Sequence, residues 1–225
     1  MSDFFDRLLA ETESVREDLL SIPFIQYGRR GELSLASYRA FLAQAYHHVK
    51  HTTPLLMACG ARVPQDKEWL RDAMAEYIKE EVGHQEWILN DIRACGGDPE
   101  IVRADRPGDA AELMVAYAYH TIDRGNPIGF LGMVLVLEGT SIRLATEAAT
   151  NLRQKLSLPP QAFSYLMSHG ALDVSHMDFY RGLVNRLQDE DDREAVIYCA
   201  SRFYRLYGDV FRALPLSLNA AACAA

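Results

Sequence analysis

Six residues carry imidazole or carboxylate at spacings that would place them on the inward faces of helices. Glu81 and His84 lie three apart in a segment whose apolar stripe runs through Leu70, Met74, Tyr77 and Ile88, and residues three or four apart share one face of a helix. Glu80 falls one residue off that stripe and is the expected solvent partner; a phase shift of one residue would exchange the two glutamates. Glu138 is the only charged residue between Arg124 and Arg143, behind Met133-Val134-Leu135-Val136-Leu137 and ahead of Ile142 and Leu144. A lone carboxylate in such surroundings is unstable unless it is paired, protonated or bound to a metal. His169, Asp173 and His176 recur at i, i+4 and i+7, on the face shared by Leu166, Leu172 and Tyr180.

Together these residues are a metal-site inventory. Carboxylate and imidazole without thiolate suit iron or manganese between facing helices, where E-x-x-H pairs from two helices hold two metals. The corresponding pairs here are Glu81-x-x-His84 and Asp173-x-x-His176. Glu138 supplies a lone carboxylate, and His169 takes the remaining place. Taken singly, an E-x-x-H is common by chance, and a core histidine is more often hydrogen-bonded than ligated. Agreement in phase between three separate helices favours the metal, because the alternative needs six unrelated polar intrusions into core stripes. Around the site, Tyr46, Tyr77 and Tyr180 are candidate walls of a substrate cavity, with His48 and His51 as candidate polar lining. His120 is expected to be structural or exposed, and Lys50 and Arg143 to be solvated charges.

The elements that must position these residues read as helix throughout. Apolar residues recur at three and four, and no stretch alternates with period two over more than a few residues. Helices are expected over roughly 3–20, 34–59 with a kink at Pro54, 66–94, 110–123, 127–155, 161–188 and 190–213. Ser34 is the expected cap of the second and Gly96-Gly97-Asp98-Pro99 the stop of the third. The expectation is an all-α, seven-helix, single-domain bundle over residues 1–215, with 216–225 as a flexible tail.

Composition narrows the function classes. The 225 residues are 49% hydrophobic and 24% charged, which is enough apolar matter for a sizeable core. The net charge of −8 is spread without a Lys/Arg block, so nucleic acid is not an expected partner. The longest apolar run, Pro127 to Leu137, falls well short of the ~20 residues of a membrane span. The acidic, amphipathic start lacks the pattern of a secretory signal, so a cytoplasmic address is expected. Cys59, Cys95, Cys199 and Cys223 form no C-x-x-C pair, which argues against a disulfide framework or a thiolate zinc site.

The segments Glu81-Val82-Gly83-His84, Leu137-Glu138-Gly139 and His169-Gly170-Ala171-Leu172-Asp173-Val174-Ser175-His176 resemble the haem-oxygenase-like di-iron oxidases, relatives of TenA and PqqC. The resemblance covers nearly the whole chain. Its most specific part, His-x-x-x-Asp-x-x-His, is similar to that of the chlamydial death-domain-associating protein and of the alkene-forming fatty-acid decarboxylase. It implies a TenA/PqqC-like bundle with two irons per chain on Glu81, His84, Glu138, His169, Asp173 and His176. It further implies O2 as co-substrate, a small-molecule substrate such as an amino acid or fatty acid, and a homodimer. The alternatives are a non-catalytic binding protein of the same fold and a metal-independent TenA- or PqqC-like enzyme. The central apolar helix has no cysteine where TenA thiaminases place their nucleophile, which sets thiamine salvage aside.

Overall fold

The structure is a computed structural model; it describes the backbone of residues 3–219, and their side chains except at 143 and 169–175. Asp3 caps the first helix by accepting from the Asp6 N–H, and α1 (Phe4–Glu11) gives way at Thr12 to α2 (Glu13–Leu20). The segment expected as one helix is thus two, with the Thr12 hydroxyl turned back onto the Leu8 carbonyl at the junction. Pro23 opens the short α3 (Pro23–Arg29), where its missing N–H is harmless.

Ser34 caps α4 (Leu35–Val49) as expected, accepting from the Ser37 N–H. The helix expected over 34–59 breaks at Lys50-His51 rather than kinking at Pro54, and α5 (Thr52–Arg62) follows. This position of the break places Pro54 in the first turn of α5, where no intrahelical donor is needed.

The segment 66–94 also divides, into α6 (Glu68–Glu81) and α7 (His84–Ala94). Beyond it lie α8 (Pro99–Ala104), α9 (Asp109–Arg124), α10 (Leu131–Leu156), α11 (Ser164–Val184) and α12 (Glu190–Ala213). Among the described residues there is no strand, only an isolated bridge between Leu33 and Leu218. Residues 216–219, read from sequence as the start of a flexible tail, are held there. The Ser34 N–H donates to the Ser217 carbonyl and the Asn219 N–H to the Glu32 carbonyl, each at 2.8 Å. Residues 220–225, with Cys223, lie outside the described residues.

The apolar α10 is the axis of the molecule and packs on α3, α11 and α12. Gly132 permits the approach to α12: a Cβ there would lie 2.5 Å from the Ala200 nitrogen and 2.8 Å from the Val196 carbonyl oxygen. On the other side, the buried Tyr180 hydroxyl donates to the Leu131 carbonyl at 2.9 Å and ties α11 to α10. Among the described residues no single helix is long and apolar enough to cross a membrane. The bent pair Pro127–Ile142 and Leu144–Leu156 passes that test only when taken together.

Candidate metal centre

The centre begins at the break between α6 and α7. Glu81 is the last residue of α6 and His84 the first of α7, and Gly83 between them has φ +95°, a left-handed conformation that side chains other than glycine rarely adopt. The two residues meet across this corner, His84 Nδ1 lying 3.0 Å from Glu81 Oε2. Glu81 and His84 are both buried, and the imidazole stacks on Trp87 with ring centroids 4.0 Å apart. Facing them from α10, Glu138 is 9% exposed.

His176, from α11, stands between two carboxylates. Its Nε2 lies 2.6 Å from Glu80 Oε2, and its Nδ1 lies 3.8 Å from Glu138 Oε1. Glu80 is therefore more than the solvent partner expected from the stripe. Its carboxylate remains half-exposed, yet it reaches the same imidazole, because α6 ends one residue later and both glutamates lie in its last turn. His169 and Asp173 belong to the backbone of α11, but their side chains lie outside the described residues. Among the described residues no group of three His, Cys, Asp or Glu side chains is gathered as an ion-holding set. What the described side chains form is two carboxylate–imidazole pairs, with Glu138 beside one of them.

Glu81, Glu138, Tyr77 and His48 all line a cavity of about 1260 Å³, mouth included, between α10 and the helices around it. Its walls are otherwise mainly aromatic and aliphatic, including Phe24, Phe41, Phe130 and Met133. Tyr77 is 2% exposed and packs edge-on against His176 and Phe179. Burial, and then the charge of Glu138, push its phenol far above the usual tyrosine range, so the proton stays on. His48 Nδ1 is 3.0 Å from the Gln44 carbonyl oxygen, and its ring meets Tyr207 edge-on.

The remaining lining candidates are not among the cavity walls. Tyr46 lies under the Lys50 ammonium and against His47, His51 pairs with the Tyr119 hydroxyl at 3.3 Å, and Tyr180 is spent on the Leu131 carbonyl. Lys50 is consequently more than a solvated charge, its Nζ also lying 3.4 Å from His47 Nδ1. His120 is exposed, and the Arg143 side chain lies outside the described residues.

Asp91 is a site-supporting residue that sequence reasoning missed. It is fully buried on α7 and accepts from the Ser164 and Tyr165 N–H groups at 3.0 and 2.9 Å, and from the Ser164 hydroxyl. It thereby pins the N-terminus of α11, the helix that carries His169, Asp173 and His176. The one signal for it was a carboxylate beside Ile88 and Ile92 on an inward face.

The helical bundle that carries these carboxylate–imidazole pairs has a haem-oxygenase-like fold. A domain of unknown function from Shewanella denitrificans OS217 superposes with TM-score 0.84 at 22% identity, over 92% of this chain and 90% of that one. A TenA homologue from Pseudomonas syringae pv. tomato str. DC3000 gives 0.74 at 13% identity, over 94% and 93%. Haem oxygenase-1 from Synechocystis sp. PCC 6803, in complex with haem, gives 0.73 at 11%, over 94% and 91%. No curated protein sequence matches the chain significantly. Residues 39–208 match the family of iron-containing redox enzymes, and the chain belongs to that family.

Proposed function

We propose that the protein is an O2-dependent non-haem di-iron oxidase or oxygenase acting on a small metabolite, with Glu81, His84, Glu138, His169, Asp173 and His176 as iron ligands. The observation that carries this reading is the burial of Glu81, His84, Glu138 and His176 from four helices, with Glu81 and Glu138 lining one apolar cavity. Family membership supports the iron. The donors are nitrogen and oxygen, while two of the three described thiols are engaged elsewhere, Cys59 on the Pro127 carbonyl and Cys199 beside the Tyr117 hydroxyl. Such a set fits iron by ligand chemistry.

Iron bound there would supply the reaction with O2. The residues of the chain bind and orient. Glu80 orients the His176 ring, as a carboxylate partner does for a ligating imidazole, while Glu81 stands beside His84 within the ligand set. Tyr77 holds its proton at Oη beside Glu138. The apolar walls keep bulk water from the reacting groups.

The test is iron content per chain after anaerobic Fe(II) loading, followed by O2 exposure with the visible spectrum recorded. About two irons per chain and a transient absorption are expected. Glu138→Ala and His176→Ala should abolish loading with the helical content kept, and full iron content in both variants overturns the assignment. One observation favours a second reading, a binding protein or metal-independent enzyme of the same fold: His84 and His176 already have carboxylates at 3.0 and 2.6 Å. That reading predicts no iron uptake and a function that survives chelation.

A further inference from the structure

Two large side chains stay exposed on neighbouring helices, Leu113 of α9 at 61% and Tyr198 of α12 at 55%. Tyr117, one turn on from Leu113, is half-buried and reaches the residue after Tyr198, its hydroxyl lying 3.7 Å from Cys199 Sγ. The Arg202 guanidinium covers the Tyr198 ring, 4.3 Å from its centroid. An exposed apolar patch that holds tyrosine and arginine has the composition of a protein–protein contact.

The same face carries charges that the fold leaves unused. Glu112 on α9 and Arg205 on α12 are exposed, and among the described residues neither takes part in an ion pair. Charges further along the same helices do: Asp123 pairs with Arg62 and Arg212 with Asp209, both at 2.8 Å. The two helices run antiparallel, since Tyr117 meets Cys199 while Asn126, just past the end of α9, donates to Asp192 in the first turn of α12 at 2.8 Å. Counting back from Tyr117 and on from Cys199 brings Glu112 to the level of Arg205. A two-fold axis parallel to the helices, lying in the plane of contact, lays α9 of one copy over α12 of another and keeps that level. The stretch from Leu113 to Tyr117 then covers Tyr198 and Arg202 of the second copy, Glu112 meets its Arg205, and each contact occurs twice. A net charge of −8 opposes self-association in general. A face acidic on one helix and basic on its neighbour overcomes this locally, because it is complementary to itself turned over.

We propose that the face made by α9 and α12 joins two copies of this chain in a two-fold dimer, with Leu113, Tyr117 and Tyr198 at its centre and Glu112 of each copy against Arg205 of the other. The inference is independent of the iron reading. The opposite side of α12 supplies Tyr207 and Phe211 to the cavity wall, so the contact face lies behind the cavity.

The test is sedimentation equilibrium of the full chain across a concentration series. A monomer–dimer equilibrium is expected, weakened by added salt. A substitution at a two-fold contact acts twice, so Tyr198→Ala, at about tenfold per copy, should raise the dissociation constant about a hundredfold. Glu112→Arg and Arg205→Glu should each impair self-association, because each sets like charges opposite one another in both halves of the contact. The two variants mixed in equal amounts should regain the wild-type constant, since one half of the mixed contact is then natural and the other charge-reversed. Helical content, read by circular dichroism, should be unchanged in all three, as each replaced side chain is exposed. A monomer at every concentration, a dimer indifferent to Tyr198→Ala, or a mixture no tighter than its components overturns the proposal.

Discussion

His84 Nδ1 lies 3.0 Å from Glu81 Oε2 across a corner in the chain, with Glu81 closing one helix and His84 opening the next. The spacing Glu-x-x-His describes one face of a single helix, and the contact it anticipates is present. The cause is different: Gly83 turns the backbone through a left-handed conformation, and Val82 is left 63% exposed at the corner.

Gly83→Ala isolates that corner. A Cβ at Gly83 meets nothing within 4 Å, so the penalty is conformational only, about 1 kcal/mol. For a chain of this size the expected fall in unfolding temperature is about 2–4 °C, read by calorimetry. Iron uptake should weaken with it.

The two glutamates at the end of α6 should separate by role. Glu81→Gln removes a buried carboxylate from the proposed ligand set and should abolish iron loading. Glu80→Gln removes an orienting partner of His176 and should weaken iron affinity about 10- to 100-fold. An Fe(II) titration of both variants decides, and the reverse ranking transfers the ligand role to Glu80.

Gly132→Ala should destabilise the fold through packing. The added methyl meets α12 backbone atoms at 2.5 and 2.8 Å, where no side chain can rotate away. A loss of about 1–3 kcal/mol is expected in urea unfolding. A near-neutral result would mean that α10 and α12 separate more readily than their contact implies.

Asp91 should make stability depend on pH. Burial raises its carboxyl from the ordinary 3.8 to about 6, against the lowering effect of its three hydrogen bonds. A carboxyl raised in the folded state favours folding most when both states hold the proton, below about pH 4. That contribution is lost as pH rises through 6, a change of about 3 kcal/mol over the full span. Unfolding by urea across pH 4 to 7.5 should therefore show a steeper decline in the wild type than in Asp91→Asn, which cannot ionise. Parallel profiles would reject the shift.

The sequence by itself determined the all-α class, the central placement of the apolar helix around Glu138, and the inward direction of Glu81, His84 and His176. Each follows from periodicity, because a residue type repeated at three or four must lie on one side of a helix and an apolar side must be buried. Tertiary structure alone decided where the long segments break, at Thr12, His51 and Gly83, since such breaks follow from how neighbouring helices are filled. It also brought Glu80 to His176, 96 positions away in the sequence, and used Asp91 to anchor α11 through backbone donors that leave no pattern in the residue types. The cavity likewise placed His48 and Tyr77 in its wall and left out Tyr46, His51 and Tyr180, whose polar or aromatic groups are engaged elsewhere. A helix face can be read from one segment, but the partner of a side chain depends on which other segment packs against that face.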